Sequence, residues 1–458
     1  MVDESRSVRI EGAGDGVRVS RLEGREWISR LFEFELTVHV DAAASFDPGA
    51  VVGSEVDVVF TDAGVEQRRV HGMVSALDEL SDAEGQTRTF LLVVSPRAFR
   101  LTFVESQEVY LDRSIPEIVA EKLELCGLGD ALVLRLAKTY PKKEFVTQYK
   151  ESDLAFVSRL LEHEGISFSF AFDADKGADV MVLTDSNGAF DVHEPRELAF
   201  EARGDRVRVR DLAVEHRLAP ATYVVQDYNY RRPLLDLSAE EKIPSGYGGG
   251  VVEYGTHHKT QEEGKELAKI RAEERHASTL VYRAVATVPT LAPATRVSVT
   301  GHRVQGDLDL VVTEVHHRFQ QIAHERAAEA YTLSFRAIPA DRTFRPARRT
   351  ARPKIHGVVS GIVDDATRGV HQYAQLDTEG RYIVKLLHDT ADSSGKLASR
   401  WIRMAQPHTG PDYGMHFPLK PGIEVLLAFI DGDPDRPIIV GAAPNPVTRS
   451  PSTPPATP

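Results

Sequence analysis

The stretch IDGDPDRPIIVG, residues 430–441, sets Asp431, Asp433 and Asp435 at alternate positions between two apolar runs. Carboxylates at positions one, three and five are what a calcium loop offers its ion. That loop also needs glycine at its sixth position and a bidentate glutamate at its twelfth, and those places hold Arg436 and Ala442. A cation arriving there would meet a guanidinium. A turn accounts for more of the residues. Gly432 tolerates positive φ, the aspartates accept backbone N–H groups, and Pro434 and Pro437 fix φ at the corners.

Other chemical patterns fail on spacing. HEPRE (193–197) and HERAA (324–328) lack the second histidine of a zinc helix, and SSGKL (393–397) lacks the upstream glycine and trailing hydroxyl of a phosphate loop. EGAGDG (11–16) has the wrong spacing for a dinucleotide fingerprint and reads as a turn, and no G-x-S-x-G elbow occurs. His316 and His317 are neighbours in a strand pattern, so they point to opposite faces and are poorly placed to share a metal. His257 and His258 form the other pair. Glu162 and Glu164 flank His163 near a helix end and read as its polar face. Cys126, the one cysteine, excludes an internal disulfide or a cysteine zinc cluster, and its setting, EKLELCGL, reads as core packing. No catalytic residue, metal ligand set or cofactor is expected.

The elements that must carry any function are mostly strands. GVRVSRL, FEFELTVHV, SEVDVVF, RTFLLVV, DRVRVRDLAVEHRL, TRVSVTGHRV and LDLVVTEVHHRF alternate apolar and polar residues, the period of strands with one face on a core. Three helices interrupt them. One starts at the capping box Ser114–Glu117 with the stripe Ile115, Ile118, Val119 and Leu123. The second carries Leu154, Val157, Leu160 and Leu161 and ends at Gly165. The third starts at the box Thr260–Glu263, and only Leu267 and Ile270 are strongly apolar beyond it, so much of its length should be exposed. Prolines and arginines over 342–357 read as a linker, its basic side chains solvated or set against acidic neighbours rather than an anionic partner. HGVVSGIV, GRYIVKLL, SRWIRMAQ, IEVLLAFI and RPIIVGA then give five short strands, enough for a small barrel of oligonucleotide-binding (OB) type.

With 458 residues the chain is long enough for three or four domains. Its 55 Lys and Arg against 68 Asp and Glu leave a net charge of −13, which disfavours broad contact with nucleic acid or anionic membrane. The N-terminus lacks the basic start and apolar run of a signal peptide, and no stretch approaches the apolar length that spans a bilayer. The chain is expected to assemble in the cytoplasm and to leave by a route other than an N-terminal signal.

In GIEVLLAFI, residues 422–430, Ile423, Val425, Leu427 and Phe429 take one face while Leu426, Ala428 and Ile430 take the other. A strand apolar on both faces needs covering on both. One face fills the small barrel; the other calls for another domain or another subunit.

Two longer motifs carry a resemblance. LKPGIEVLLAFIDGDPDRPIIVGAAPNP (419–446), with SRWIRMAQPHTGPDYGMHFP (399–418), closely resembles the barrel domain of the VgrG family, the spike proteins of bacterial type VI secretion. VTQYKESDLAFVSRLLEHEGISFSF (146–170) resembles the helix-then-strand signature of the same family's hub, and the helix after Thr260 has a counterpart there. The resemblance implies a mainly β fold with a few helices, in which phage-hub-like β-barrel domains are followed by a small five-stranded OB-type barrel. It divides the chain into a hub region 1–341 (N-terminal β-barrel domain about 1–105, helix-containing insertion about 106–200, second β-barrel domain about 201–341). A linker 342–356, a barrel 357–443 and a disordered Pro-rich tail 444–458 follow. It makes Gly422, Gly432, Asp433, Pro434, Asp435, Arg436 and Pro437 a structural turn, and Ile423, Val425, Leu426, Leu427, Phe429 and Ile430 a candidate subunit-interface strand.

The function it implies is mechanical rather than enzymatic. A homotrimer docks on a hexameric, Hcp-like tube, meets baseplate proteins, carries a PAAR-like tip protein and effectors, and crosses membranes only by puncture. Two departures stand out. Leu387 and His388 in GRYIVKLLHD lie near positions often aromatic in the family. No strand repeats follow Pro446, so the family's β-helix is expected to be absent from this sequence, either because the chain is cut after the barrel or because the spike is short and a separate protein caps it. The spike of a phage tail or of an extracellular contractile injection particle shares this architecture. A single-stranded nucleic-acid-binding OB module is the alternative of another class, disfavoured because acidic residues outnumber basic ones from Gly369 to Ala443 and aromatics do not cluster.

Overall fold

The computed structural model describes residues 6–41, 44–80, 87–201, 209–321, 331–365, 373–390 and 398–452, so the HERAA and SSGKL segments lie outside the described residues. The chain divides into two compact units. The first comprises Met1–Arg100, Leu123–Thr139 and Leu160–Arg349, and the second Leu101–Lys122, Tyr140–Arg159 and Thr350–Pro458.

The first unit is dominated by one sheet of twelve strands. Strands Arg6–Glu11, Glu55–Asp62, Val65–Leu80, Thr87–Ser95, Glu33–Asp41 and Arg18–Trp27 follow one another in space, and then come Gly306–Gln320, Tyr331–Pro339, Leu280–Ala286 and Val209–His216. Arg18–Trp27 and Gly306–Gln320 pair antiparallel with Trp27 opposite Glu314, so the sheet continues without a break from the start of the chain into its later half. The alternation seen in the sequence sets the faces: Val315, His317 and Phe319 are buried while His316 is half-buried on the other side. Two three-stranded sheets accompany it, one of which, formed by Thr222–Gln226, Ala239–Lys242 and Gly250–Tyr254, shares a core with the helix Gln261–Ala277.

Gly24 is required by close approach. It lies opposite Phe34, and a Cβ there would stand 2.3 Å from the ring carbons of that buried side chain. Gly24→Ala should therefore force the ring aside and destabilise the unit by about 1–3 kcal/mol. A denaturant midpoint unchanged from wild type would contradict this.

The helices start where their caps predict. Ser114 and Glu117 exchange bonds across the first turn of Ile115–Leu125, and Thr260 Oγ1 accepts the Glu263 N–H at 3.2 Å. The third helix is more buried than two strong apolar residues suggested, because Gly264, Ala268, Ala272 and the whole Arg271 side chain join Leu267 and Ile270 inside. Cys126, expected in the core, is only half-buried, since the helix ends there with Leu125 exposed.

In the second unit, strands Val384–Leu386, Val358–Val363, Glu424–Phe429 and Pro437–Ala442 form a four-stranded sheet in that order. The fifth segment, SRWIRMAQ, is not a regular strand. It makes bridges from Ile402 to Tyr382 and from Met404 to Ile439, touching both ends of the sheet. The pair Glu105–Tyr110 and Val146–Ser152 belongs to the same unit. Its Phe145, Val109 and Tyr149 share a core with Tyr382, Val425, Leu427 and Ile439. Beyond residue 443 the chain is held as far as Thr448, whose N–H donates to Asn445 Oδ1, while Asn445 Nδ2 donates to Glu424.

Candidate functional site

Segment 430–437 reverses the chain between two strands of the sheet. Asp431 (φ 56°) and Gly432 (φ 72°) are left-handed, and bonds run from Asp433 N to Ile430 O (3.1 Å), Arg436 N to Asp433 O (2.9 Å) and Ile430 N to Arg436 O (3.0 Å). Gly422 (φ 85°), whose N–H donates to Val363 O, opens the strand on the other side. The three aspartates part company. Asp431 is exposed and faces Lys354 at 3.5 Å, whereas Asp433 and Asp435 are buried. Asp435 Oδ1 accepts the Thr147 N–H at 2.6 Å, and its Oδ2 lies 2.5 Å from Arg352, which also reaches Asp433 Oδ1 at 3.1 Å. Arg400 donates to the Asp435 carbonyl and covers the Phe145 ring. The acid pair is a knot that ties three stretches of the second unit together. Asp435→Ala strands a buried N–H and a guanidinium, and should lower that unit's stability by about 2–3 kcal/mol, read as an earlier unfolding transition.

The strand beside it has two unequal faces. Val425, Leu427 and Phe429 are buried in the unit's core with Ile423 packed at its margin. Leu426 and Ala428 on the other face are half-buried and Ile430 is exposed. Cross-strand neighbours extend this outer face: Val358 lies opposite Ala428 on one side and Ile438 on the other.

Four buried or half-buried ionic groupings lie outside the residues singled out by spacing as candidate sites. In the first unit, Glu26 accepts two bonds from Arg68 (2.8 and 2.7 Å) and lies 2.7 Å from His317 Nε2, while His317 Nδ1 meets Tyr331 Oη at 2.6 Å. Burial pushes the Glu26 carboxyl up, but the Arg68 charge and the bonds from His317 and Arg68 more than reverse this and hold it at about 2. Burial lowers the His317 pKa, so the ring is neutral with Nε2–H donating to Glu26. Second, Arg271 donates to the carbonyl and Nδ1 of His163 and to Glu253, and Glu162 accepts the Arg349 N–H, so the 162–164 cluster is more than a polar helix face. Third, arginines of the linker are set against acidic neighbours, one of the two readings its sequence allowed. Arg342, Arg345 and Arg348, three residues apart, reach the His276 carbonyl, Glu273 with the Gly165 and Asp185 carbonyls, and Glu274 with Glu253 and Tyr223. Fourth, in the second unit, fully buried Lys122 lies 2.9 Å from both Glu108 and Asp153.

A cleft in the first unit is lined by Arg68, Arg69, His71, Arg135, Ser169 and Asp179, among others. His71 Nδ1 meets Asp57 at 2.8 Å, which is half of a charge relay, but its Nε2 faces the Glu55 carboxylate at 3.3 Å rather than a hydroxyl. The arginines are matched as well: Arg68 by Glu26, Arg69 by Asp57, Glu11 and Glu66, and Arg135 by Asp191. The His316–His317 pair splits across the sheet as its spacing demands, and His258 is fixed between Thr256 and the Leu237 carbonyl. Among the described residues no helix is long and apolar enough to cross a membrane.

These features define a class: a large β-rich unit and a small OB-like unit, each held by buried ion pairs. The phage tail baseplate hub (GPD) family profile matches residues 25–323, and the type VI secretion system/phage-baseplate injector OB domain profile matches 370–443. The chain belongs to the phage tail baseplate hub family, in its VgrG spike branch. It is 29% identical to the type VI secretion system spike protein VgrG5 of Pseudomonas aeruginosa, over 95% of this chain and 57% of that one, so it spans little more than half the length of this relative. Among solved structures it matches the Escherichia coli c3393 protein, with a TM-score of 0.71, 25% identity, and coverage of 95% of this chain and 100% of that one. That protein is described as a type VI secretion component with structural similarity to the T4 bacteriophage tail proteins gp27 and gp5. The Francisella PdpA–VgrG complex shares the fold at a TM-score of 0.64 and 10% identity, over 96% of this chain and 78% of that one.

Proposed function

We propose that three copies of this chain form the hub of a type VI secretion apparatus, docking on the end of a hexameric Hcp-like tube and meeting baseplate proteins. Sheath contraction then drives the assembly through the target envelope with a PAAR-like tip or cap and effectors attached. It assembles in the cytoplasm and leaves with the tube. The observation that carries this reading is the pairing, in one chain and in this order, of the hub profile over 25–323 with the injector OB profile over 370–443. On this reading the hub spans 1–341, the linker 342–356, the barrel 357–443 and the tail 444–458. The turn Gly422, Gly432–Pro437 braces the strand whose outer face meets another subunit. The work is mechanical, and the matched charges of the cleft fit a scaffold better than an enzyme. The same architecture would serve a phage tail or an extracellular injection particle, in which only the tube partner changes.

The test is to mix the chain with the hexameric tube protein of the same apparatus and view the product by negative-stain electron microscopy. Hub-sized caps at one end of each tube are expected. Tubes with bare ends at saturating protein would contradict the reading.

A further inference from the structure

Tyr413, Met415 and Phe417 stand at alternate positions after the short hairpin Thr409–Gly410 with Tyr413–Gly414, and all three are more than half exposed. Tyr413 lies in the hairpin beside the His408 ring at 5.3 Å, and Met415 and Phe417 follow it in the irregular segment beyond. The residue between the last two, His416, is gripped between Tyr382 Oη at 3.1 Å and the Gln406 amide at 3.0 Å, its ring parallel to the Tyr382 ring. Tyr382 is fully buried and also accepts the Leu419 N–H, while Met415 N–H donates to the His408 carbonyl. The arm is therefore rooted, and its three apolar side chains are presented rather than loose.

The same unit carries a second uncovered apolar surface. On the outer face of its four-stranded sheet, Val358, Ile430 and Val440 are exposed and Leu426, Ala428 and Ile438 half-buried, all toward one end. The opposite end of that face is more polar, with Lys385 exposed and Glu424 bonded to Ser360 and Asn445 on either side of a half-buried Ile362. Charges flank both surfaces: exposed Asp412 and Lys420 bracket the arm, and exposed Lys354 and Asp431 stand beside Ile430 at the apolar end of the face.

We propose that the arm Tyr413–Phe417 of one copy seats on the outer sheet face of the next copy, with Asp412 and Lys420 set against Lys354 and Asp431. The proposal rests on the trimeric reading above and names the contact that closes the ring. Within one chain neither surface covers the other, since both are exposed. Between identical copies each chain gives one arm and receives one, a head-to-tail contact that leaves nothing over once a ring closes. Three large apolar side chains bury several hundred Å² at most, below the roughly 1,200 Å² of a stable pair, so the contact is expected to hold as a closed ring and not as a dimer.

The test places a photoreactive benzoylphenylalanine at Phe417 in the full chain, mixes unlabelled with ¹⁵N-labelled protein, irradiates, and locates the adduct by mass spectrometry. The expected adduct joins chains of different label and falls on Val358–Val363, Glu424–Phe429 or Pro437–Ala442. The combined substitution Tyr413→Ser, Met415→Ser, Phe417→Ser is expected to lose the three-chain native mass while keeping the circular dichroism of wild type. A three-chain mass that survives this substitution, or with the adduct elsewhere or within one chain, overturns the arm contact and leaves the trimer standing. A single-chain mass for wild type overturns both.

Discussion

Arg68→Ala is expected to destabilise the first unit by about 3–5 kcal/mol, because it leaves the Glu26 carboxylate buried without its cation. Glu26, Arg68, His317 and Tyr331 sit among Phe34 and Phe60, whose rings lie 5.6 and 5.4 Å from the His317 ring. The orphaned charge would stay largely out of water, since Glu26 is 5% exposed. Trp27, next in sequence to Glu26, gives a fluorescence reading of this unit's unfolding. The double replacement Glu26→Leu with Arg68→Leu should recover much of the loss, because no charge is then left unpaired. A midpoint for Arg68→Ala within experimental error of wild type would sink this account of the cluster.

The same cluster fixes a sign for pH dependence. His317 is held below its ordinary 6.5, so the folded state binds fewer protons than the unfolded one, and stability is lost as pH falls below about 6.5. Glu26, lowered from 4.5 to about 2, adds a second loss as pH falls from about 4.5 toward 2, on the order of 3 kcal/mol in all. Both slopes run the same way. A stability that rises on acidification from pH 7 to 4 would contradict the assignment.

Lys122→Ala is the second large effect, expected to cost the other unit about 3–5 kcal/mol. The ammonium separates Glu108 from Asp153 and also donates to Ser106 Oγ at 2.9 Å. Burial raises the Glu108 pKa, but bonds from Tyr110 and Lys122 leave it below the ordinary value, so removing Lys122 should send the carboxyl upward. The readings are an earlier thermal transition and a Glu108 titration moved to higher pH by carbon-detected NMR. A Glu108 titration that stays in place would show that Lys122 is not its main support.

Most of this was written in the sequence in a form that phase alone could decode. Glu26 shares strand parity with Leu22 and Gly24, His317 with Val315 and Phe319, and all four neighbours face inward or lie flat against the core. Lys122 follows Ile118 and Val119 by four and three residues, and Arg271 follows Leu267 and Ala268 in the same way, so each charge lies in the apolar stripe of its helix. A charge in phase with core residues announces a buried pair. What phase cannot give is the partner. Glu26 and Arg68 are 42 residues apart, and Thr147 meets Asp435 across 288, distances at which only the folded sheet order decides. The turn at 430–437 was legible because glycine and proline act locally. The linker arginines could be read as solvated or set against acidic neighbours, and which acids they meet was not legible because Glu273 and Glu274 lie on a helix far back in the chain. SRWIRMAQ alternated like a strand, yet it pairs only by bridges, at Ile402 and Met404.

The measurement that bears most directly on the central claim is the native mass of the purified chain, by native mass spectrometry at low and moderate ionic strength. A hub built from this chain predicts the mass of three copies. A single-copy mass at every concentration and salt tested would contradict it, and the outer face of Glu424–Phe429 would then need another explanation.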